Sequence, residues 1–157
     1  MLRLSKKADY ALMAMKHLAL RPDQGSASAR EIAEHYDIPI ELMAKVLQRL
    51  VRRGLLVSQQ GTRGGYLLAR SASEMSVADV IQAVDGPLAV TACATTEDTC
   101  DQYEKCNIRD PLWRIKDRIV TALSTCSIAE MASDAGPGEP AATVVPVTLS
   151  RRLVVRP

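Results

Sequence analysis

Three cysteines in the second half of the sequence are the residues best suited to chemistry. Cys93, Cys100 and Cys106 fall within fourteen residues, in the spacing Cys-x6-Cys-x5-Cys, and the fourth, Cys126, follows further along. No export signal is evident, so we expect a reducing compartment, where such a cluster is more often a metal or redox site than a disulfide framework. Thiolates favour iron–sulfur clusters, zinc or copper(I). Zinc sites commonly use closer pairs, so the wide spacing favours an iron–sulfur cluster.

Three thiolates leave one ligand position open. The candidates for the fourth ligand include six residues: Asp9, His17, His35, Asn107, Asp110 and Cys126. We expect Cys126 to be a small apolar residue of a helical stripe, and both histidines to be structural. The residues alone do not choose among the others.

The first half of the chain is basic, and this predicts an anionic partner for it. Residues 1–72 carry a net charge of +6, residues 73–133 of −5 and residues 134–157 of +1, within a total of +2. The charge is concentrated in a segment with helical periodicity, residues 40–53. We predict that its apolar face, Leu42, Val46, Leu47 and Leu50, packs on the core. Its other face would carry six residues that can meet DNA: Glu41, Lys45, Gln48, Arg49, Arg52 and Arg53.

A glycine-rich hairpin follows that segment. Residues 55–60 and 66–70 are predicted to be strands, joined by Gly61-Thr62-Arg63-Gly64-Gly65. The glycines allow a tight turn, and Arg63 at its tip suits a narrow minor groove.

The remaining elements complete a winged helix-turn-helix. A helix begins after Ser5, a short one follows the Ser28–Glu31 capping box, and Asp37-Ile38-Pro39 turns the chain into residues 40–53. Ser76 caps another helix, residues 88–109 are irregular, and residues 110–126 form a long helix that ends before a Ser127–Glu130 capping box. We therefore predict a mainly α chain with a DNA-binding unit (1–72), a unit with the cysteine loop 93–106 and a dimerisation helix (73–133), and a tail without fixed structure (134–157).

Several function classes are disfavoured by composition and motifs. No phosphate loop, Ser/His/Asp set or His-Glu metal motif is present, so we do not expect an enzyme. No apolar run is long enough to span a membrane, and we expect a cytoplasmic protein. Phe is absent and there are only four Tyr and one Trp, which disfavours RNA modules that stack bases on aromatic rings.

Four segments together resemble the Rrf2 family of bacterial regulators. They are KKADYAL at 6–12, GGYLL at 64–68, VIQAVDG at 80–86 and the cysteine loop, and the resemblance covers roughly residues 1–132. The stretch KCNIRDPLW at 105–113 is most similar to the branch that regulates the SUF cluster-assembly operon. The resemblance implies a cluster ligated by Cys93, Cys100 and Cys106, a palindromic double-stranded operator, and a homodimer. The dimer would bury the stripe of the long helix: Leu112, Ile115, Ile119 and Leu123.

The resemblance also bears on the fourth ligand. IscR-type members place a His where this chain has Arg109, and an Arg cannot ligate iron. NsrR-type members use an Asp of the first helix from the partner subunit, and Asp9 matches it. A 4Fe–4S cluster with Asp9 is therefore favoured, with 2Fe–2S possible. We expect DNA contacts at nine positions: Lys6, Tyr10, Ser28, Pro39, Glu41, Lys45, Arg49, Arg63 and Gly64.

Two alternatives remain open. The first is a cluster-free transcription regulator in which the three cysteines oxidise to a disulfide or bind zinc. The second is an electron-transfer or cluster-carrier protein without a DNA role, which the basic helix and Arg63 speak against.

Overall fold

The structure is a computed structural model that describes residues 3–23, 25–61, 64–88 and 103–133. In chain order its elements are α1 (Lys6–Ala19), α2 (Ala29–His35), α3 (Ile40–Arg52), β1 (Leu56–Gln59), β2 (Gly65–Leu68), α4 (Val77–Asp85), α5 (Arg109–Thr125) and α6 (Ile128–Ser133). Single 3-10 turns cover Ala72–Glu74 and Tyr103–Lys105. The mainly helical winged helix-turn-helix is confirmed. Cys93, Cys100, Arg63 and the tail 134–157 lie outside the described residues.

Serine hydroxyls begin the helices at the predicted places. The Ser76 hydroxyl accepts from the Asp79 backbone N–H at 3.1 Å, and the Asp79 carboxylate accepts from the Ser76 N–H at 2.9 Å. Ser28 likewise accepts from the Glu31 N–H at 3.1 Å. The Glu31 carboxylate also receives a hydrogen bond from the Ser28 backbone, as the predicted capping box requires, and it pairs in addition with Arg21.

One apolar core joins the two halves of the chain. Ala8, Ala11 and Met15 of α1 are fully buried, and they belong to the same cluster as residues of α3 and α4 and Ile128 of α6. The core therefore continues across the predicted boundary between residues 72 and 73. This continuity fixes the position of α3 relative to α1 and α4.

The buried face of α3 corrects one prediction. Leu42 was expected in the core but is 43% exposed, whereas Met43 is fully buried. Met43 is three, four and seven residues from Val46, Leu47 and Leu50, the spacing of one helix face. Leu42 precedes that face by one residue, which rotates it by about 100° toward solvent.

The wing is a two-stranded antiparallel sheet that is attached to the segment before α2. Leu56 pairs with Leu68 and Gln59 with Gly65, so both strands are shorter than the predicted 55–60 and 66–70. The Tyr66 backbone N–H donates to the Ala27 carbonyl at 2.8 Å, and the Tyr66 carbonyl accepts from the Ala27 N–H at 3.2 Å. A Cβ on Gly65 would lie 2.6 Å from the Ala27 oxygen, so this close approach requires glycine.

Helix α5 buries none of its residues within a single chain. Of the predicted dimerisation stripe, Leu112, Ile119 and Leu123 are half-buried and Ile115 is 46% exposed. The helix runs from Arg109 to Thr125, one residue earlier at each end than predicted. Cys126 follows it and packs against the core. None of the described helices is long and apolar enough to cross a bilayer.

Candidate nucleic-acid interface

Helices α2 and α3 form the helix-turn-helix, and the turn between them has a defined geometry. The Ile38 N–H donates to the Ala33 carbonyl at 2.9 Å and closes the end of α2. Asp37 has a φ of 52°, in the left-handed region that Asp enters more readily than most residues. Pro39 then precedes the first residue of α3, and its fixed φ suits that position.

The structure places the predicted DNA contacts in two groups. Lys6, Pro39, Glu41, Lys45 and Arg49 are exposed. Their side chains can therefore meet a ligand without rearrangement of the core, although the Arg49 guanidinium also donates to the Val84 carbonyl.

The other predicted contacts have visible structural duties. Tyr10 is half-buried and packs against the core. Ser28 is half-buried and caps α2. A Cβ on Gly64 would lie 2.7 Å from the Gln59 carbonyl oxygen, so this glycine is required by the hairpin itself. These structural roles explain the presence of Tyr10, Ser28 and Gly64 without any contact to DNA.

A cleft lined by cations lies along one side of α3. Its volume is about 260 Å3, and it lies where α3 meets the start of α1 and the end of α4. Seven residues line it: Lys7, Leu42, Lys45, Val46, Arg49, Arg52 and Val84. Four of the seven are basic and the other three are aliphatic, so the cleft offers positive charge around an apolar floor. We call it the basic cleft.

Two contacts hold the helices that form the basic cleft. The Arg49 guanidinium donates to the Val84 carbonyl and ties α3 to α4. The Ser5 hydroxyl at the start of α1 donates to the Asp85 carboxylate at 2.7 Å. Lys7 was missed as a candidate because periodicity places it on the exposed side of α1 but does not show which helix that side meets.

A polar cluster around His17 holds α1 against α2. His17 is 6% exposed, and its Nε2 lies 3.0 Å from an Arg21 guanidinium nitrogen and its Nδ1 3.3 Å from the Tyr36 hydroxyl. A guanidinium only donates, so Nε2 accepts and Nδ1 carries the proton. The His35 ring lies 5.1 Å from the His17 ring. The geometry supports the structural role predicted for both histidines.

Burial and charge set the titration of this cluster. Burial, and then the positive charge of Arg21, lower the pKa of His17. The hydrogen bond from Arg21 lowers the pKa of Glu31. Burial raises the pKa of Tyr36. Near neutral pH the cluster therefore holds a neutral imidazole between an ion pair and a phenol.

The candidate metal ligands are only partly within the described residues. Cys106 is a half-buried free thiol that follows the 3-10 turn Tyr103–Lys105 and precedes α5. Asp9 is exposed in the first turn of α1. Within the described ranges no three His, Cys, Asp or Glu side chains converge on one point. The donor set of soft thiolates with one carboxylate suits iron–sulfur ligation.

Sequence comparison decides the family. The Rrf2 model, described as an iron-dependent transcriptional regulator, matches residues 4–134. The chain belongs to the Rrf2 family. The transcriptional regulator IscR of Photorhabdus laumondii is 37% identical over 134 residues, which are 85% of this chain and 80% of that protein. IscR of Pectobacterium carotovorum is 34% identical over the same shares. The predicted resemblance is confirmed, and these relatives are regulators rather than enzymes.

Solved structures give the same fold. The global cysteine regulator CymR of B. subtilis has a TM-score of 0.72 at 26% identity, covering 87% of this chain and all of that one. T. potens IscR has a TM-score of 0.67 at 27% identity, covering 86% of this chain and 89% of that one. The helix-turn-helix, wing and α5 thus occur in a family of regulators.

Proposed function

We propose that this Rrf2-family regulator binds a palindromic operator as a homodimer and changes its DNA affinity with the state of an iron–sulfur cluster. The observation that carries the DNA-binding part is the basic cleft beside the exposed face of α3. An α-helix of this kind lies in the major groove with its first residues at base edges. The cations on its side then meet the phosphate backbone, which supplies affinity without sequence information.

Lys7 distinguishes this interface from a solvated basic helix. Because Lys7 belongs to α1 and Lys45, Arg49 and Arg52 belong to α3, two separate elements direct charge into one cleft. A phosphate strand following the cleft would be neutralised from both sides. Its deoxyribose would pack on the aliphatic floor, which includes Leu42.

The cluster would be held by Cys93, Cys100 and Cys106, with Asp9 of the partner subunit as the fourth ligand. The iron-dependent family description and the match to IscR proteins support a cluster, and Arg109 at the IscR-type His position favours the 4Fe–4S form over 2Fe–2S. Asp9 lies two residues from Lys7 on the same helix. A ligand bound at Asp9 would therefore act on the helix that contributes to the basic cleft. It would shift DNA binding by the difference between its affinities for the DNA-binding arrangement of the dimer and for the arrangement that does not bind DNA.

The homodimer would use the face of α5 that a single chain leaves uncovered. Ile115, Leu112 and Ile119 would meet the same residues of the second copy across a twofold axis, as expected for an isologous interface. We further propose SUF cluster-assembly genes as the target, on the similarity of residues 105–113. These genes determine the supply of clusters, so they are a suitable target for a regulator that responds to a cluster.

Salt dependence tests the basic cleft as a DNA interface. Operator affinity is measured by fluorescence anisotropy over a series of salt concentrations. Lys7→Gln is expected to weaken specific and non-specific DNA alike and to reduce the slope of log affinity against log salt by about 1. Lys16→Gln, on the same helix but outside the cleft, is the matched control. An unchanged slope for Lys7→Gln would remove the cleft from the interface.

Spectroscopy of single variants tests the ligand set. After anaerobic reconstitution with iron and sulfide, each of the variants Cys93→Ser, Cys100→Ser and Cys106→Ser is expected to lack the visible chromophore. The variant Cys126→Ser is expected to retain it. Asp9→Ala should alter the spectrum or speed its decay rather than abolish it, because carboxylate is the hard member of a soft set. If Cys126→Ser bleaches while Asp9→Ala is unchanged, Cys126 is the fourth ligand.

The same preparation separates the two rival functions. A colourless protein that binds the operator with an affinity set by thiol oxidation or zinc would support the cluster-free regulator. A coloured protein that binds no DNA would support an electron-transfer or cluster-carrier role.

A further inference from the structure

The first turn of α3 exposes two large aliphatic side chains on opposite sides of Glu41. Ile40 is 42% exposed and Leu42 is 43% exposed. At about 100° per residue the two are about 200° apart around the helix axis. Leu42 belongs to the basic cleft, whereas Ile40 does not line it. The exposed apolar surface of Ile40 therefore lies outside the basic cleft, on another side of the helix.

The position of Ile40 determines what it would meet on DNA. It is the first residue of α3, directly after Pro39. The first residues of a recognition helix approach the base edges in the major groove. There the only aliphatic group on any base is the C5 methyl of thymine. An exposed isoleucine at this point is chemically matched to that methyl group.

We propose that Ile40 contacts the methyl group of one thymine in each half of the operator and so specifies thymine at that position. This inference rests on the proposed function, because it requires α3 to enter the major groove. The charge of the exposed Lys45, five residues further along α3, and that of Lys7 in the basic cleft favour DNA over an apolar protein partner for this helix. The proposal adds a sequence-specifying residue to an interface whose cations carry no sequence information.

Deoxyuridine provides a test that removes only the methyl group. An operator is first selected from random duplexes with the full chain, and each thymine of one half-site is then replaced by deoxyuridine in turn. Affinities are measured by anisotropy at one salt concentration. We expect one position at which the replacement weakens binding about fourfold, and about sixteenfold when both half-sites are changed, the effect of burying one methyl group per half-site.

Two variants assign the effect to Ile40. Ile40→Ala should bind the thymine and deoxyuridine operators equally, because the contact that distinguishes them is gone. Leu42→Ala is the aliphatic control in the same helical turn: because Leu42 lies in the basic cleft, its loss should weaken thymine and deoxyuridine operators alike and leave the fourfold preference for thymine unchanged. Far-ultraviolet circular dichroism and thermal unfolding check that both variants remain folded, as expected for side chains that are more than two-fifths exposed.

Each other result has a defined meaning. If no deoxyuridine replacement weakens wild-type binding, or if Ile40→Ala retains the preference, the assignment of Ile40 is wrong while the DNA-binding function stands. If the preference is lost in Leu42→Ala only, the methyl contact belongs to Leu42 and the proposal is overturned. If the chain selects no duplex at all, both the proposed function and this inference fail.

Discussion

The register of α3 predicts a large difference in stability between two adjacent substitutions. Met43 is fully buried among core residues, and its neighbour Leu42 is 43% exposed. Truncation of a buried Met to Ala removes apolar contacts and leaves a cavity, which costs about 2–5 kcal/mol. Leu42 is already partly in water, so we expect Leu42→Ala to cost less than about 1 kcal/mol. Both changes delete side-chain atoms from the same helical turn, so helix propensity contributes little to the difference.

Urea unfolding of the two variants measures this difference. The free energies of unfolding are compared at one protein concentration, because the proposed dimerisation would make the apparent stability depend on concentration. An unchanged dependence on urea shows that only stability has changed. The free energy of unfolding of Met43→Ala should be lower than that of Leu42→Ala by more than about 1 kcal/mol. Equal losses, or a larger loss in Leu42→Ala, would mean that α3 is rotated and that a different face is available to DNA.

Three further predictions address the wing, the dimer and the His17 cluster. Arg63→Ala should weaken operator binding by about 1–3 kcal/mol at fixed salt while dimer and cluster remain; unchanged affinity would exclude Arg63 from the interface. Ile119→Asp should give monomers or insoluble protein, because an unpaired charge would enter an apolar seam; a soluble dimer in sedimentation would place the interface elsewhere. Because the folded pKa of His17 is below its ordinary value of 6.5, the unfolded chain takes up the proton first and the free energy of unfolding falls as pH drops through 6.5. His17→Gln should flatten this dependence; a variant whose free energy of unfolding falls with pH as steeply as that of the wild type would contradict it.

Local rules were sufficient for most helix boundaries. Serine caps place the starts of α1, α2 and α4, because each serine hydroxyl satisfies a backbone donor of its own helix. The apolar spacing and Pro39 place α3, which has no side-chain cap, within one residue of the predicted 40–53. The predicted strands were too long, because only residues that pair with the neighbouring strand belong to the sheet. The sequence does not show at which residue this pairing ends. The 3-10 turns were missed because a single turn leaves no periodic pattern.

Tertiary contacts explain the errors at the candidate site. Glu31 keeps the backbone hydrogen bond to Ser28 that its spacing predicts, but its ion pair with Arg21, ten residues earlier, is one that no local rule anticipates. Leu42 was assigned to the core because a stripe that begins one residue early fits the same apolar residues nearly as well. Lys7 joins the basic cleft only because α1 packs beside α3, a relation that requires the folded chain. The proposed chemistry of the cysteines, by contrast, rests on their types and spacing, because Cys93 and Cys100 lie outside the described residues.

Operator affinity of one preparation, measured by fluorescence anisotropy in its cluster-free and reconstituted forms, tests the central claim most directly. Iron and sulfide analysis of the same sample gives the cluster content of each form. We predict a coloured reconstituted protein whose affinity for a palindromic operator differs from that of the cluster-free protein by fivefold or more, about 1 kcal/mol of coupling. Equal affinities of the two forms, with the cluster demonstrably bound, would contradict the account.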